Sequence, residues 1–160
     1  MFSSLKKAQK GFTIIELLIV IAIIIILAAL VLNNFQGAQA KARDTQRVTD
    51  VNNVHSKLEE YYNENNYYPN TFTAATFPGI DAESLKDPKG NTITINAAVA
   101  DATAANAVNT QSGTNNYLYI PYNCTGAGNT QCSGYVLKTW IEKPSSTTPN
   151  PTVKLGLNNT

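Results

Sequence analysis

Residues 12–32 read FTIIELLIVIAIIIILAALVL, an apolar run whose only polar side chains are Thr13 and Glu16. Wound as an α-helix, this run is roughly 31 Å long at about 1.5 Å per residue. The hydrocarbon core of a bilayer is about 30 Å thick. A helix apolar all round has no face to offer water, so it belongs in a membrane or in a large core. A soluble core helix is the plainer alternative. A secretory signal is another: Lys6, Lys7 and Lys10 precede the run, and GAQA at 37–40 offers small residues for cleavage. Against the second, signal cores are typically about 7–15 residues, and Glu16 would interrupt this one near its beginning.

Glu16 needs its own explanation. Thr13-Ile14-Ile15-Glu16 fits a capping box, in which Thr and Glu satisfy free N–H groups at a helix start. A carboxylate there also meets the positive end of the helix dipole, worth about 0.3–1 kcal/mol. A charge at membrane depth costs roughly 2.5–3.5 kcal/mol at the helix centre and less near the end. Lysines outside the membrane keep a helix start polar without that cost, so capping alone undershoots and a partner is expected. A cut after Gly11 would supply one, because Phe12 becomes a new amino terminus one helical turn from Glu16. A neighbouring chain shifted along the axis could present the same ammonium. Buried in an apolar bundle, such a pair would fix the packing register. Register needs fixing, since apolar helices gain little by leaving lipid for one another.

These residues carry a resemblance. KGFTIIELLIVIAIIIILAAL resembles the class III signal of type IV pilins and secretion pseudopilins: a basic leader, a glycine, a Phe, a Glu four positions later, then the apolar helix. The resemblance implies a prepilin peptidase that cuts between Gly11 and Phe12 and N-methylates Phe12, with Glu16 as the assembly carboxylate. Family members often carry a proline or glycine partway along the helix, where it melts in filaments. This chain has neither between Phe12 and Gln36.

At 160 residues there is room for one domain. The formal net charge is +1. Losing the three leader lysines takes the 12 basic side chains to 9 against 11 acidic ones, a balance of −2. That surface gives little reason to expect tight nucleic-acid binding. One histidine and two cysteines leave few options for a metal.

Beyond residue 34 the pattern turns amphipathic. Val48, Val51, Val54 or His55, Leu58 and Tyr61/Tyr62 recur at helical spacing as one buried face. Arg43, Asp44, Arg47, Asp50, Lys57 and Glu59 read as the solvated side. The expectation is one helix of about fifty residues, tolerating Gly37 at a cost of about 1 kcal/mol and ended by NENNYYPN. Asp87-Pro88-Lys89-Gly90 has good turn chemistry and resembles the DP-x-G-N element of major secretion pseudopilins. Strand candidates are residues 91–97, 117–123, 134–143 and 152–158, the third reading as half-buried by alternation. AAVADATAANAVNTQSGTNN reads as an exposed low-complexity loop, and PSSTTPNP as a rigid connector whose hydroxyls are open to glycosylation.

Cys124 and Cys132 flank TGAGNTQ, a glycine-containing tip between two strand candidates. A disulfide there would stabilise by about 2–3 kcal/mol on the chain-entropy model, and would place the segment outside the cytosol. Two free thiols are the alternative. A zinc site lacks the short ligand spacing and the further ligands it needs. The resemblance agrees with the disulfide. His55 reads as a packing or surface residue, and the tyrosines as core aromatics with a surface adhesive role as the alternative. Asn123-Cys124-Thr125 is formally a glycosylation sequon, a poor one behind a bacterial-type leader.

The combined expectation is an α+β pilin lollipop: leader 1–11, membrane or filament-core half-helix 12–35, amphipathic half 36–66, and a head at 67–160 built on a small antiparallel sheet. The nearer lysine cluster favours an inside amino terminus only modestly; the resemblance of the leader, with the cysteines, implies that orientation. The function expected is that of a type IV pilus subunit, with no catalytic residues, cofactor or metal. Its partners are further copies of itself, the prepilin peptidase, an assembly platform with its ATPase, and the cytoplasmic membrane before assembly. The alternatives are a major pseudopilin of type II secretion and, in a different class, a membrane-anchored extracytoplasmic binding domain or enzyme.

Overall fold

The structure, a computed structural model, describes residues 11–75, 77, 79–108, 117–145 and 150–158, apart from the side chains of Asn33 and Asn34. The leader lysines and residues 146–149 of the PSSTTPNP connector lie outside that set, as does the stretch 109–116. By contacts the chain divides into two units, Met1–Gln39 and Ala40–Thr160. Helix α1 runs Ile14–Asn65, 52 residues, as the periodicity predicted. It ends before Pro69 is reached. Asn66 turns left-handed at φ 63° while its N–H still reaches Tyr62 O at 2.7 Å, and asparagine tolerates that conformation better than most residues.

Within the second unit, a hairpin of β3 (Tyr117–Thr125) and β4 (Gln131–Thr139) forms the centre. Its ladder runs from Tyr117 opposite Thr139 to Thr125 opposite Gln131. The other edge of β4 is shared by two short strands. β1 (Tyr68–Pro69) pairs at the hairpin end and β5 (Thr152–Leu155) at the far end, both antiparallel. On the opposite side, β2 (Thr94–Ile95) pairs with β3 in parallel, Thr94 opposite Leu118. The sheet is therefore mixed rather than wholly antiparallel. A hairpin cannot make a parallel neighbour; here residues 96–116 intervene between β2 and β3, ample for the crossover a parallel pair requires.

Two more differences follow from what covers the sheet. The low-complexity stretch contains a short helix, α2 (Ala102–Ala107), started by Asp101, whose carboxylate accepts the Ala104 N–H at 2.8 Å. α2 buries Ala105 against Leu118, Ile120, Tyr122 and Val136. On the other face Val51, Val54 and Leu58 of α1 pack with Tyr117, Tyr119, Tyr135 and Leu137. β4 is consequently buried on both faces instead of half-buried, and it ends at Thr139. Tyr68, Tyr117, Tyr119, Tyr122 and Tyr135 are core aromatics, as their sequence context indicated, with Tyr61 and Tyr62 half-buried against them. Tyr119 Oη donates to Pro69 O at 2.6 Å and Tyr117 Oη to Asp50 Oδ2 at 2.7 Å.

The DPKG turn forms as read. Gly90 N–H bonds Asp87 O at 2.8 Å with Gly90 at φ 85°, and Asp87 Oδ1 accepts from the N–H groups of Lys89 and Asn91 at 3.0 and 2.7 Å.

Candidate functional site

The helix start is built from two side chains three residues apart. Thr13 N–H and Thr13 Oγ1–H both donate to Glu16 Oε2, at 2.8 and 2.7 Å, and Glu16 N–H returns to Thr13 Oγ1 at 3.3 Å. The reciprocal capping box is thus complete. It uses one oxygen of the carboxylate. Glu16 Oε1 accepts nothing among the described residues. Gly11 and Phe12 precede this turn, with Phe12 91% exposed.

Downstream of Glu16 the large apolar side chains from Leu17 to Leu32 are all exposed in the isolated chain. This part of α1 is long and apolar enough to cross a membrane, by length and composition. Burying such side chains is worth roughly 1.5–3 kcal/mol each, so the segment requires lipid or other apolar helices around it.

In the second unit the structure overturns one reading. Asp44, Arg47 and Asp50 are not on a solvated side but buried, Arg47 completely. Arg47 Nη1 meets Asp44 Oδ1 at 2.7 Å and its Nη2 meets Glu142 Oε1 at 2.9 Å. Arg43 Nε adds a bond to Glu142 Oε1 at 3.0 Å. Asp44 also accepts the backbone N–H groups of Glu142 and Lys143, both at 2.8 Å. One carboxylate on α1 therefore holds the chain just beyond β4. The Arg43 bond, helped by Arg47 and opposed by burial, brings the Glu142 carboxyl down to about 2. Asp50, paired with Tyr117, is pushed upward by burial, which outweighs that bond. The only local signal for this cluster was the Arg43, Asp44, Arg47 spacing; Glu142 and Tyr117 lie far away in sequence.

His55 is a packing residue. Its Nδ1 lies 2.7 Å from Tyr135 Oη, which donates to Glu59 Oε1 at 2.9 Å. With that hydroxyl proton spent on Glu59, the imidazole carries its hydrogen on Nδ1 and donates. Glu59 further accepts from Tyr68 Oη at 2.9 Å and Leu157 N–H at 3.2 Å. Burial lowers the His55 pKa, with Glu59 opposing and Lys154 reinforcing the shift. Burial and Glu59 together raise the Tyr68 hydroxyl to about 12.

Cys124 and Cys132 are bonded, facing each other across the β3–β4 ladder with an S–S distance of 2.01 Å. Among the described residues, no group of three or more His, Cys, Asp or Glu is placed to hold a metal.

The family described as the prokaryotic N-terminal methylation motif matches residues 6–32. The chain is 41% identical over 66 residues to the type II secretion system core protein G of Aeromonas hydrophila, covering 41% of this chain and 46% of that one. It is 42% identical over 74 residues to the type IV wide pilus major component PilA4 of Thermus thermophilus, covering 46% and 56%. With the fimbrial protein EcpC of Eikenella corrodens it shares 37% over 94 residues, 59% of each. The match to the core G protein spans less than half the length of either partner. No solved structure matches. The chain therefore carries the prokaryotic N-terminal methylation motif on a long helix backed by an α+β head, and over two- to three-fifths of its length it is a homologue of type II secretion core protein G and of type IV pilins.

Proposed function

We propose that the chain is the structural subunit of a type IV pilus-like filament. Prepilin peptidase cuts between Gly11 and Phe12 and methylates the Phe12 nitrogen; residues 12–35 then anchor the protein in the cytoplasmic membrane, amino terminus inside. An assembly platform and its ATPase transfer the helix from lipid into a helical homopolymer. The subunit itself does no chemistry.

The observation that supports this reading most is the half-used carboxylate of Glu16. Thr13 engages Oε2 and leaves Oε1 open. A helix cap alone needs no charge at membrane depth, where ionised groups are costly. A neighbouring subunit's Phe12 ammonium, directed to Oε1, cancels the charge and sets the axial stagger of two otherwise featureless apolar helices. Weak screening in an apolar bundle makes a misaligned pair expensive, so the pair acts as a register pin.

A major pseudopilin of type II secretion is the second reading. The DPKGN turn and the core protein G relatives favour it; the disulfide-closed hairpin and the Asn- and Thr-rich surface favour a displayed fibre. The rival from another class, a membrane-anchored binding domain or enzyme that never polymerises, predicts an intact leader or a cut near Ala40. Intact mass and terminal sequencing of material sheared from cells decide this. Phe12 first, with one added methyl group, is the expected result; Lys41 first overturns the proposal.

A further inference from the structure

One groove at the hairpin end of the head is lined by neutral hydrogen-bonding groups. Asn65, Asn66 and Tyr67 form one wall, where α1 turns into β1; Asn123 and Thr125 of β3 with Gln131 and Ser133 of β4 form the other. Its volume is about 400 Å³, inside the roughly 300–1,000 Å³ range of ligand sites. No lysine, arginine or carboxylate lines it.

The walls are held before any ligand arrives. β1 pairs with β4 through Tyr68–Cys132 and Pro69–Gln131, and the disulfide ties Cys132 to Cys124. Two of the lining residues are asparagines with left-handed backbone, Asn66 at φ 63° and Asn123 at φ 49°. Asn66 is accounted for by the end of α1. Asn123 is not accounted for by a turn, because it sits inside β3 between two paired residues, Tyr122 opposite Gly134 and Cys124 opposite Cys132. It has no ladder partner of its own; its N–H goes to Val99 O at 3.0 Å. Asparagine tolerates left-handed backbone, and that conformation at Asn123 sets the direction of its side chain. Here the side-chain amide is turned to Ser133, Nδ2 donating to Oγ at 3.0 Å. That leaves Asn123 Oδ1 as an acceptor and the Ser133 hydroxyl as a donor. Asn65 spends Nδ2 on Tyr61 O at 2.9 Å and keeps its own Oδ1.

We propose that this groove binds a neutral saccharide unit. Paired amides and hydroxyls match the alternating donors and acceptors of sugar hydroxyls, the half-buried Tyr67 supplies an aromatic neighbour for the C–H groups of the ring, and an uncharged lining discriminates against ionic ligands. A preformed groove also spares the ordering cost that weakens loop-built sites. The site belongs to the folded head and stands whether or not the chain polymerises.

Saturation-transfer difference NMR on the full chain, held in a detergent without a sugar headgroup, tests it. The probes are galactose, mannose and N-acetylglucosamine, with sialic acid and a blocked neutral dipeptide as competitors. Saturation should reach at least one of the three neutral sugars in preference to both competitors. Asn123→Gly keeps the left-handed backbone and removes only the amide; combined with Gln131→Ala it should weaken binding on the order of tenfold, the loss of two neutral hydrogen bonds. An unchanged thermal melt of the double variant shows that the fold is intact; if it melts early, Gln131→Ala alone is the variant scored. Transfer to none of the sugars, equal affinity in the scored variant, or preference for sialic acid or the dipeptide overturns the proposal.

Discussion

Residues 14–39 of α1 expose isoleucine, leucine and valine along their length, whereas residues 40–65 bury Asp44, Arg47 and Asp50 beside Val51, Val54 and Leu58. The backbone is the same helix in both. Among the described residues the apolar side chains of the first half have no cover, so lipid or other apolar helices must supply it; its one charge, Glu16, engages only Thr13, through one oxygen. The second half finds partners inside the chain for its buried charges: Asp44 and Arg47 meet each other and Glu142, and Asp50 meets Tyr117. A side chain's polarity therefore does not decide whether it faces water. What decides is whether the fold returns a complementary group to it.

The largest test of this contrast falls on the first half. Glu16→Val should abolish filaments by electron microscopy while leaving membrane insertion and the melting of the head unchanged. Normal fibres from that variant would remove the distinction between a half that needs other copies and a half that does not.

The second half should respond oppositely. Arg47→Ala leaves the buried Asp44 without its cation while Glu142 keeps Arg43, and removing one partner of a buried ion pair costs about 3–5 kcal/mol. Denaturation followed through the fluorescence of the single tryptophan, Trp140, reads it. A loss below about 1 kcal/mol, the scale of exposed pairs, would put the cluster back on the surface.

The smallest effect is that of pH on the head. Glu142 has its pKa lowered in the fold from 4.5 to about 2, so its contribution is present above 4.5 and is lost as pH falls through that window. His55 is also lowered, from 6.5. The unfolded chain takes up that proton first, so acidification below 6.5 favours unfolding. Stability should decline in two stages on acidification, the upper one absent in His55→Gln and the lower one reduced in Glu142→Gln. A flat profile between pH 7 and 5 in the unaltered chain would remove the buried reading of His55.

What the sequence shows of this molecule is what depends on near neighbours. The capping box of Thr13 and Glu16, the end of α1, the DPKG turn and the hairpin around Cys124 and Cys132 all rest on residues a few positions apart. Asp44, Arg47 and Asp50 were hidden because a charge pattern assigns them to water, while Glu142 and Tyr117 answer them from 95 and 67 residues away. α2 was hidden because six residues of ATAANA carry too little pattern to distinguish from a loop. β2 was legible as a strand, but nothing local announces that it runs parallel to β3. Residues 6–32 match a family model as one unbroken stretch, which is why that part was legible from the sequence alone.

The grip of Asp44 on the backbone of Glu142 and Lys143 has a mechanical side. Asp44, Arg47 and Glu142 tie the helix to the chain just beyond β4. Peeling the helix from that segment therefore requires breaking charged contacts as well as apolar packing.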